Sequence, residues 1–152
     1  MAWYYGTFSC GHEGRVNIIG PTKDRQWKAD RQFEKMCPEC WEKHLEEERQ
    51  RKNEKAAKLA EAMELPELTG SPRQIAWANT LRQKLIENFT HLAENEKDIK
   101  EISELYEIDL TKEKVIAIMD YIIQEKTHST YYINNRDRYI VRIIEDEMKE
   151  AL

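Results

Sequence analysis

Residues 8–14 read Phe-Ser-Cys-Gly-His-Glu-Gly and residues 37–40 read Cys-Pro-Glu-Cys; together they hold all three cysteines of the chain and one of its four histidines. No other feature restricts the fold as much. Cys37 and Cys40 form a C-x2-C turn, which converges two thiolates on one point. Two donors do not complete a tetrahedral shell, and Cys10 with His12 supplies a second pair. The front of the chain is then required to bring residues 10–12 against residues 37–40. A Cys3His set is a zinc donor set, and a filled shell is structural rather than catalytic, because catalytic zinc keeps a position open for water. Glu13 is the acid nearest the cluster in sequence that could pose as a base. His44 offers a competing ligand, since Cys37, Cys40 and His44 also form a C-x2-C-x3-H half-site. Free buried thiols beside a satisfied histidine are the bland alternative. An iron–sulfur cluster ordinarily takes four cysteines.

The surrounding residues read as local elements. Trp3-Tyr4-Tyr5 with Phe8, and Arg15 to Ile19, are two short β-prone runs around a Cys10–Gly14 turn, hence a hairpin. Residues 23–36 suggest a short helix with Trp27 and Phe33 inward. Residues 39–65 lack Gly and Pro and hold few apolar residues in their middle, which reads as a charged, solvated helix. Ser71, Pro72 and Gln74 spell a capping box with proline at the first helical position. Behind it, Ile75, Ala78, Leu81, Leu85, Phe89 and Leu92 recur at helical spacing. Ile99, Ile102, Leu105 and Tyr106 suggest a further helix. Thr111 reads as the cap of another, with Val115, Ile116, Met119, Ile122 and Ile123 inward. Tyr131 to Leu152 read as one final helix carrying Tyr132, Arg136, Tyr139, Ile140, Ile143, Ile144 and Met148. The expected fold is mainly α with a small N-terminal β-hairpin: a zinc-ribbon-like knuckle lobe over 1–45, a charged helical connector over 46–66 and a helical bundle of three or four helices over 67–152.

Charge sets the candidate surfaces. The chain has 152 residues and a formal net charge of -5, which argues against a generic nucleic-acid binder. Residues 15–35 carry six basic and three acidic side chains, and residues 94–113 carry eight acidic and three basic ones. The first stretch makes Lys23, Arg25, Lys28 and Arg31 candidate phosphate contacts, with Trp27 and Trp41 as stacking partners. The bland reading is a solvated helix face with core tryptophans. The second stretch offers Glu94, Glu96, Asp98, Glu101, Glu104 and Glu107 as a surface for a basic partner; the bland reading is again a solvated face. Trp77 reads as core, and His91 and His128 as surface residues. No Gly-rich phosphate loop, nucleophile elbow or HExxH pattern is present, so no enzymatic activity is expected. The start, MAWYYGTF, lacks a basic segment and a long apolar run. The expectation is a soluble, reduced, cytoplasmic protein.

The segments SCGHEGRVNIIGPTKDRQW, CPECW, LPELTGSPRQIAWANTLR and YYINNRDRYI together resemble small zinc-ribbon proteins of phages and mobile elements of Gram-positive bacteria. That resemblance implies the ligand set Cys10, His12, Cys37 and Cys40 over the set with His44, and a location in the cytoplasm of a bacterial host. It extends to zinc-containing anti-CRISPR proteins, small acidic proteins that bind an RNA-guided nuclease and block DNA loading. The function this implies is a non-enzymatic, protein-binding inhibitor whose acidic helical face docks on a host protein. The alternative is an accessory protein that binds nucleic acid through the basic zinc lobe.

Overall fold

The computed structural model describes all 152 residues. Two strands, β1 (Ala2–Thr7) and β2 (Glu13–Ile18), precede seven helices: α1 (Thr22–Phe33), α2 (Pro38–Ala62), α3 (Pro72–Glu94), α4 (Glu96–Tyr106), α5 (Lys112–Glu125), α6 (Ser129–Asn134) and α7 (Ile140–Ala151). The chain divides into two compact units, Met1–Gln50 and Arg51–Leu152. The class is therefore the expected one, mainly helical with one N-terminal antiparallel hairpin. No helix is long and apolar enough to cross a membrane.

In the first unit β1 and β2 pair with Tyr5 opposite Arg15 and Gly6 opposite Gly14. The alternation of a strand sends odd-numbered residues of both strands outward and even-numbered ones toward α1. The glycine pair is what lets two aromatic rings reach the sheet. A Cβ on Gly6 would lie 2.8 Å from the Phe33 ring, and one on Gly14 would lie 2.7 Å from the Phe8 ring. The two rings meet edge to face at 5.1 Å between centroids, a favoured aromatic geometry. With Ile18 and the fully buried Ala29 of α1 they form the small apolar core of this unit.

In the second unit α3 carries the central stripe and packs on α4, α5 and α6, while α7 packs on α5. Its start matches the expected cap: the Ser71 side chain accepts from the Gln74 amide at 3.3 Å, and the Gln74 side chain accepts from the Ser71 amide at 3.1 Å. Phe89, Val115, Ile118, Ile122 and Ile144 are fully enclosed. Thr111 caps α5 as expected.

Five expectations are corrected. The final helix is two helices, because the backbone leaves α6 at Asn135 and restarts at Ile140. Asn135 turns its own amide onto the Tyr131 carbonyl, and Tyr139 stays exposed as the N-cap of α7. On α5 the buried stripe runs through Ile118, and Ile116 faces solvent. Leu105 is exposed although it lies on an apolar-looking helix. β2 stops at Ile18, and Ile19 is exposed. Trp27, Trp41 and Trp77 are not core; each keeps between 43% and 59% of its surface exposed, as does Trp3. A cation lies against one face of three of the four rings: Arg15 on Trp3, Arg31 on Trp27 and Arg136 on Trp77.

Candidate metal centre

The hairpin turn and the start of α2 carry the donors. Gly11, with φ of +84°, lets the turn fold back tightly, and the Phe8 amide donates to the His12 carbonyl across it at 2.9 Å. The Ser9 amide donates to the Lys35 carbonyl at 3.0 Å, which fastens the turn to the segment leading into Cys37. Pro38 opens α2, so Cys40 stands in the first helical turn and the Trp41 amide donates to the Cys37 carbonyl at 2.9 Å.

Cys10, His12, Cys37 and Cys40 converge, with all their donor atoms within 4.8 Å of one another. His12 Nδ1 lies 3.5 Å from the sulfur of Cys10, 3.6 Å from that of Cys37 and 3.3 Å from that of Cys40. A tetrahedron with metal–sulfur bonds of about 2.3 Å and metal–nitrogen bonds of about 2.0 Å has nitrogen–sulfur edges of about 3.5 Å. One nitrogen nearly equidistant from three sulfurs at that separation is a vertex of such a tetrahedron. The four side chains fit a single metal ion. His44 is outside the cluster; its ring lies beside Trp41, 6.0 Å between centroids.

The electrostatics point the same way. The Cys37 amide donates to the Cys10 sulfur at 3.3 Å. That hydrogen bond, reinforced by His12, lowers the Cys10 thiol to about 6, so this sulfur ionises before Cys40. The Cys37 thiol beside it, partial burial and the charge on Cys10 push Cys40 up to about 11. Charge on Cys10 thus works against charge on Cys40, because two thiolates this close repel. A metal ion removes that conflict. Cys37 is buried, Cys10 and Cys40 are half-buried and His12 is exposed. A groove of about 1160 Å³ lies beside His12 and Cys37, with Phe8, Met36 and Trp41 in its lining.

The candidate surfaces of the sequence fall as follows. Lys23 and Arg31 are exposed, but Arg25 is committed to the Gly20 carbonyl through Nε at 2.8 Å, and Lys28 lies against the same glycine. Glu94, Glu96, Glu101, Glu104 and Glu107 are exposed and Asp98 is half-buried. Several already have work within the chain. Asp98 accepts from the Asn95 side chain at 2.8 Å, Lys97 pairs with Glu101 at 3.6 Å and Lys100 pairs with Glu104 at 3.8 Å. Glu107 ends α4 in the left-handed conformation.

Sequence reasoning missed two buried charged groups. Arg82, 2% exposed, donates to the Pro66 carbonyl at 2.6 Å and to Asn79 Oδ1 at 2.9 Å. Glu147 is buried against Lys126 at 3.0 Å. Each sits on the apolar face of its helix, and that position was the available signal.

Searches against protein-family models, curated proteins and solved structures find no match for this chain.

Proposed function

We propose that the chain is a non-enzymatic binding module whose N-terminal unit is held in shape by one structural zinc ion on Cys10, His12, Cys37 and Cys40. The observation that carries this reading is the single His12 nitrogen set at tetrahedral distances from three sulfurs. Three thiolates and an imidazole suit zinc, and four protein donors leave no ligand position for a reactive water. The small Phe8–Phe33 core explains the need for a clamp, and the exposed tryptophans supply surface with which to bind. Elemental analysis of purified protein tests it. One zinc per chain is the expected result; a substoichiometric metal content in protein purified without chelator overturns it.

A second reading has one observation in its favour. Glu94, Glu96, Glu101, Glu104 and Glu107 form an exposed acidic series along α4 and its flanks. Such a series suits a basic groove on a host protein, and an RNA-guided nuclease blocked by an anti-CRISPR inhibitor has one. The internal pairs of Lys97 and Lys100 weaken the field this series would project. Reversing Glu101, Glu104 and Glu107 to Lys is expected to abolish capture of such a nuclease. Undiminished capture by the triple variant sinks the reading.

A further inference from the structure

We infer that the outward face of the hairpin is a stacking platform for single-stranded nucleic acid; this rests on the reading of the N-terminal unit as a zinc-held binding module. The face follows from strand alternation. Trp3 and Tyr5 stand on it two residues apart, with Arg15 directly across from Tyr5. They are large and open: Trp3 is 51% and Tyr5 75% exposed. A folded chain does not need either ring there, because α1, Phe8 and Phe33 cover the opposite face.

The chemistry of the trio selects the ligand. Arg15 holds its guanidinium 4.5 Å from the Trp3 ring centroid, which lays a planar cation over one face of that ring, beside Tyr5. Rings two strand residues apart are separated by about 6.8 Å, so each has room for its own base. Base-on-aromatic stacking next to an arginine is how sequence-tolerant single-strand binding works, and a duplex hides the base faces that the rings would meet. A hollow of about 680 Å³ lies along Tyr5, Thr7, Glu13 and Arg15. Glu13 at its end repels phosphate but can accept from a base amino group.

Charge continues past the Trp3 end. Ala2 pairs with Ile18, so that end of the sheet leads directly to Gly20. There Arg25 is anchored to the Gly20 carbonyl and Lys28 lies against the same residue. These cations belong to the helix behind the sheet and stand at its end, not on the aromatic face itself. The platform differs from the one expected in the sequence: α1 supplies cations, but the stacking surfaces are Trp3 and Tyr5, not Trp27 and Trp41.

The test is anisotropy of a labelled 12-nucleotide single strand titrated with the zinc-loaded full chain, zinc content being measured on the same sample. The wild type is expected to bind the single strand, to bind a duplex of the same sequence more weakly, and to weaken as salt rises. Tyr5→Ser and Arg15→Glu are each expected to weaken binding by about tenfold or more, whereas Trp27→Phe is expected to leave it unchanged. Both test residues point to solvent, so circular dichroism and zinc content are expected to stay at wild-type values. A zinc-replete sample that ignores the oligonucleotide overturns the platform, as does equal binding by Tyr5→Ser and Arg15→Glu. A partner protein that loses affinity on these substitutions, with no oligonucleotide bound, also overturns it and makes the face a protein interface. A sample lacking zinc instead overturns the module reading.

Discussion

The amide of Cys37 donates to the sulfur of Cys10, across 27 residues of sequence and 3.3 Å of space. One hydrogen bond thus joins the two knuckles and is the main reason that Cys10 carries charge before Cys40. Cys10, lowered to about 6, has a depressed value relative to its ordinary 9.0. Its contribution to the metal-free fold is therefore complete above pH 9 and disappears as the pH falls through about 6. Cys40, raised to about 11, contributes as a thiol below pH 9 and loses that contribution as the pH rises through about 11. In metal-free protein at neutral pH, alkylation followed by peptide mapping is expected to label Cys10 before Cys40. Faster labelling of Cys40 would contradict the assignment.

His12→Ala and Cys40→Ser each remove one vertex of the donor set. Both are expected to lose stoichiometric zinc and the ordered hairpin, because structural zinc supplies on the order of 10 kcal/mol to domains this small. Most of the helical circular dichroism is expected to remain, since residues 51–152 form a compact unit with its own core. His44→Ala is expected to keep the metal. Loss of zinc from that variant would return His44 to the shell.

The facing glycines give a packing test. Gly14→Ala forces a methyl to within 2.7 Å of the buried Phe8 ring. Overpacking of this kind costs about 1–3 kcal/mol. The expected outcome is a weaker apparent zinc affinity in competition with a chromophoric chelator, although no ligand is touched. Unchanged affinity would mean that the ring moves aside freely.

Lys126 bridges Glu147 at 3.0 Å and Glu150 at 3.1 Å. Its hydrogen bond to Glu147 raises the lysine above its ordinary 10.5, so the contribution is present below that pH and is lost as the pH climbs through the higher folded value. The Tyr121 hydroxyl and Lys126 hold Glu150 below its ordinary 4.5, so that contribution is present above pH 4.5 and is lost on further acidification. Lys126→Met leaves Glu147 buried without its cation and is expected to cost about 1–3 kcal/mol in urea unfolding. The difference from wild type is expected to hold between about pH 5 and 10 and to shrink outside that window.

Glu107 adopts φ of +54° at the end of α4. A side chain in this region costs about 1 kcal/mol that glycine avoids. Glu107→Gly is therefore expected to stabilise the second unit by about 0.5 kcal/mol, read as a higher urea midpoint. A lower midpoint would show that the glutamate has a compensating contact.

What could be read in advance follows the range of the interaction. The Ser71–Gln74 box, the Thr111 cap and the ligand pairs are short-range chemistry, set by residue types three or so positions apart. Position-specific burial is not. Ile116 and Ile118 are equally apolar, and the angle at which α5 meets α3 and α7 decides that Ile118 enters the core. The break at 135–139 falls where only Arg136 carries the helical spacing from Tyr132 to Tyr139, and there Asn135 bonds back to Tyr131. The tryptophans misled for a related reason. A large ring implies burial on average, yet Trp27, Trp41 and Trp77 stand on faces of α1, α2 and α3 that stay largely open to solvent. The pairing of His12 with Cys10 around one glycine was legible from spacing, and resemblance supported it over His44; the Nδ1 geometry needed coordinates.

The Thr69 amide donates to the Thr127 carbonyl and the Ser129 amide donates to the Thr69 carbonyl, both at 2.9 Å. These two bonds stitch the entrance of α3 to a segment made much later by the ribosome. The front of the second unit therefore emerges from the exit tunnel with its partner still unsynthesised. Its assembly must wait for the α5–α6 junction, so a nascent chain truncated before residue 127 should remain an unlatched, protease-sensitive intermediate however well its early helices form.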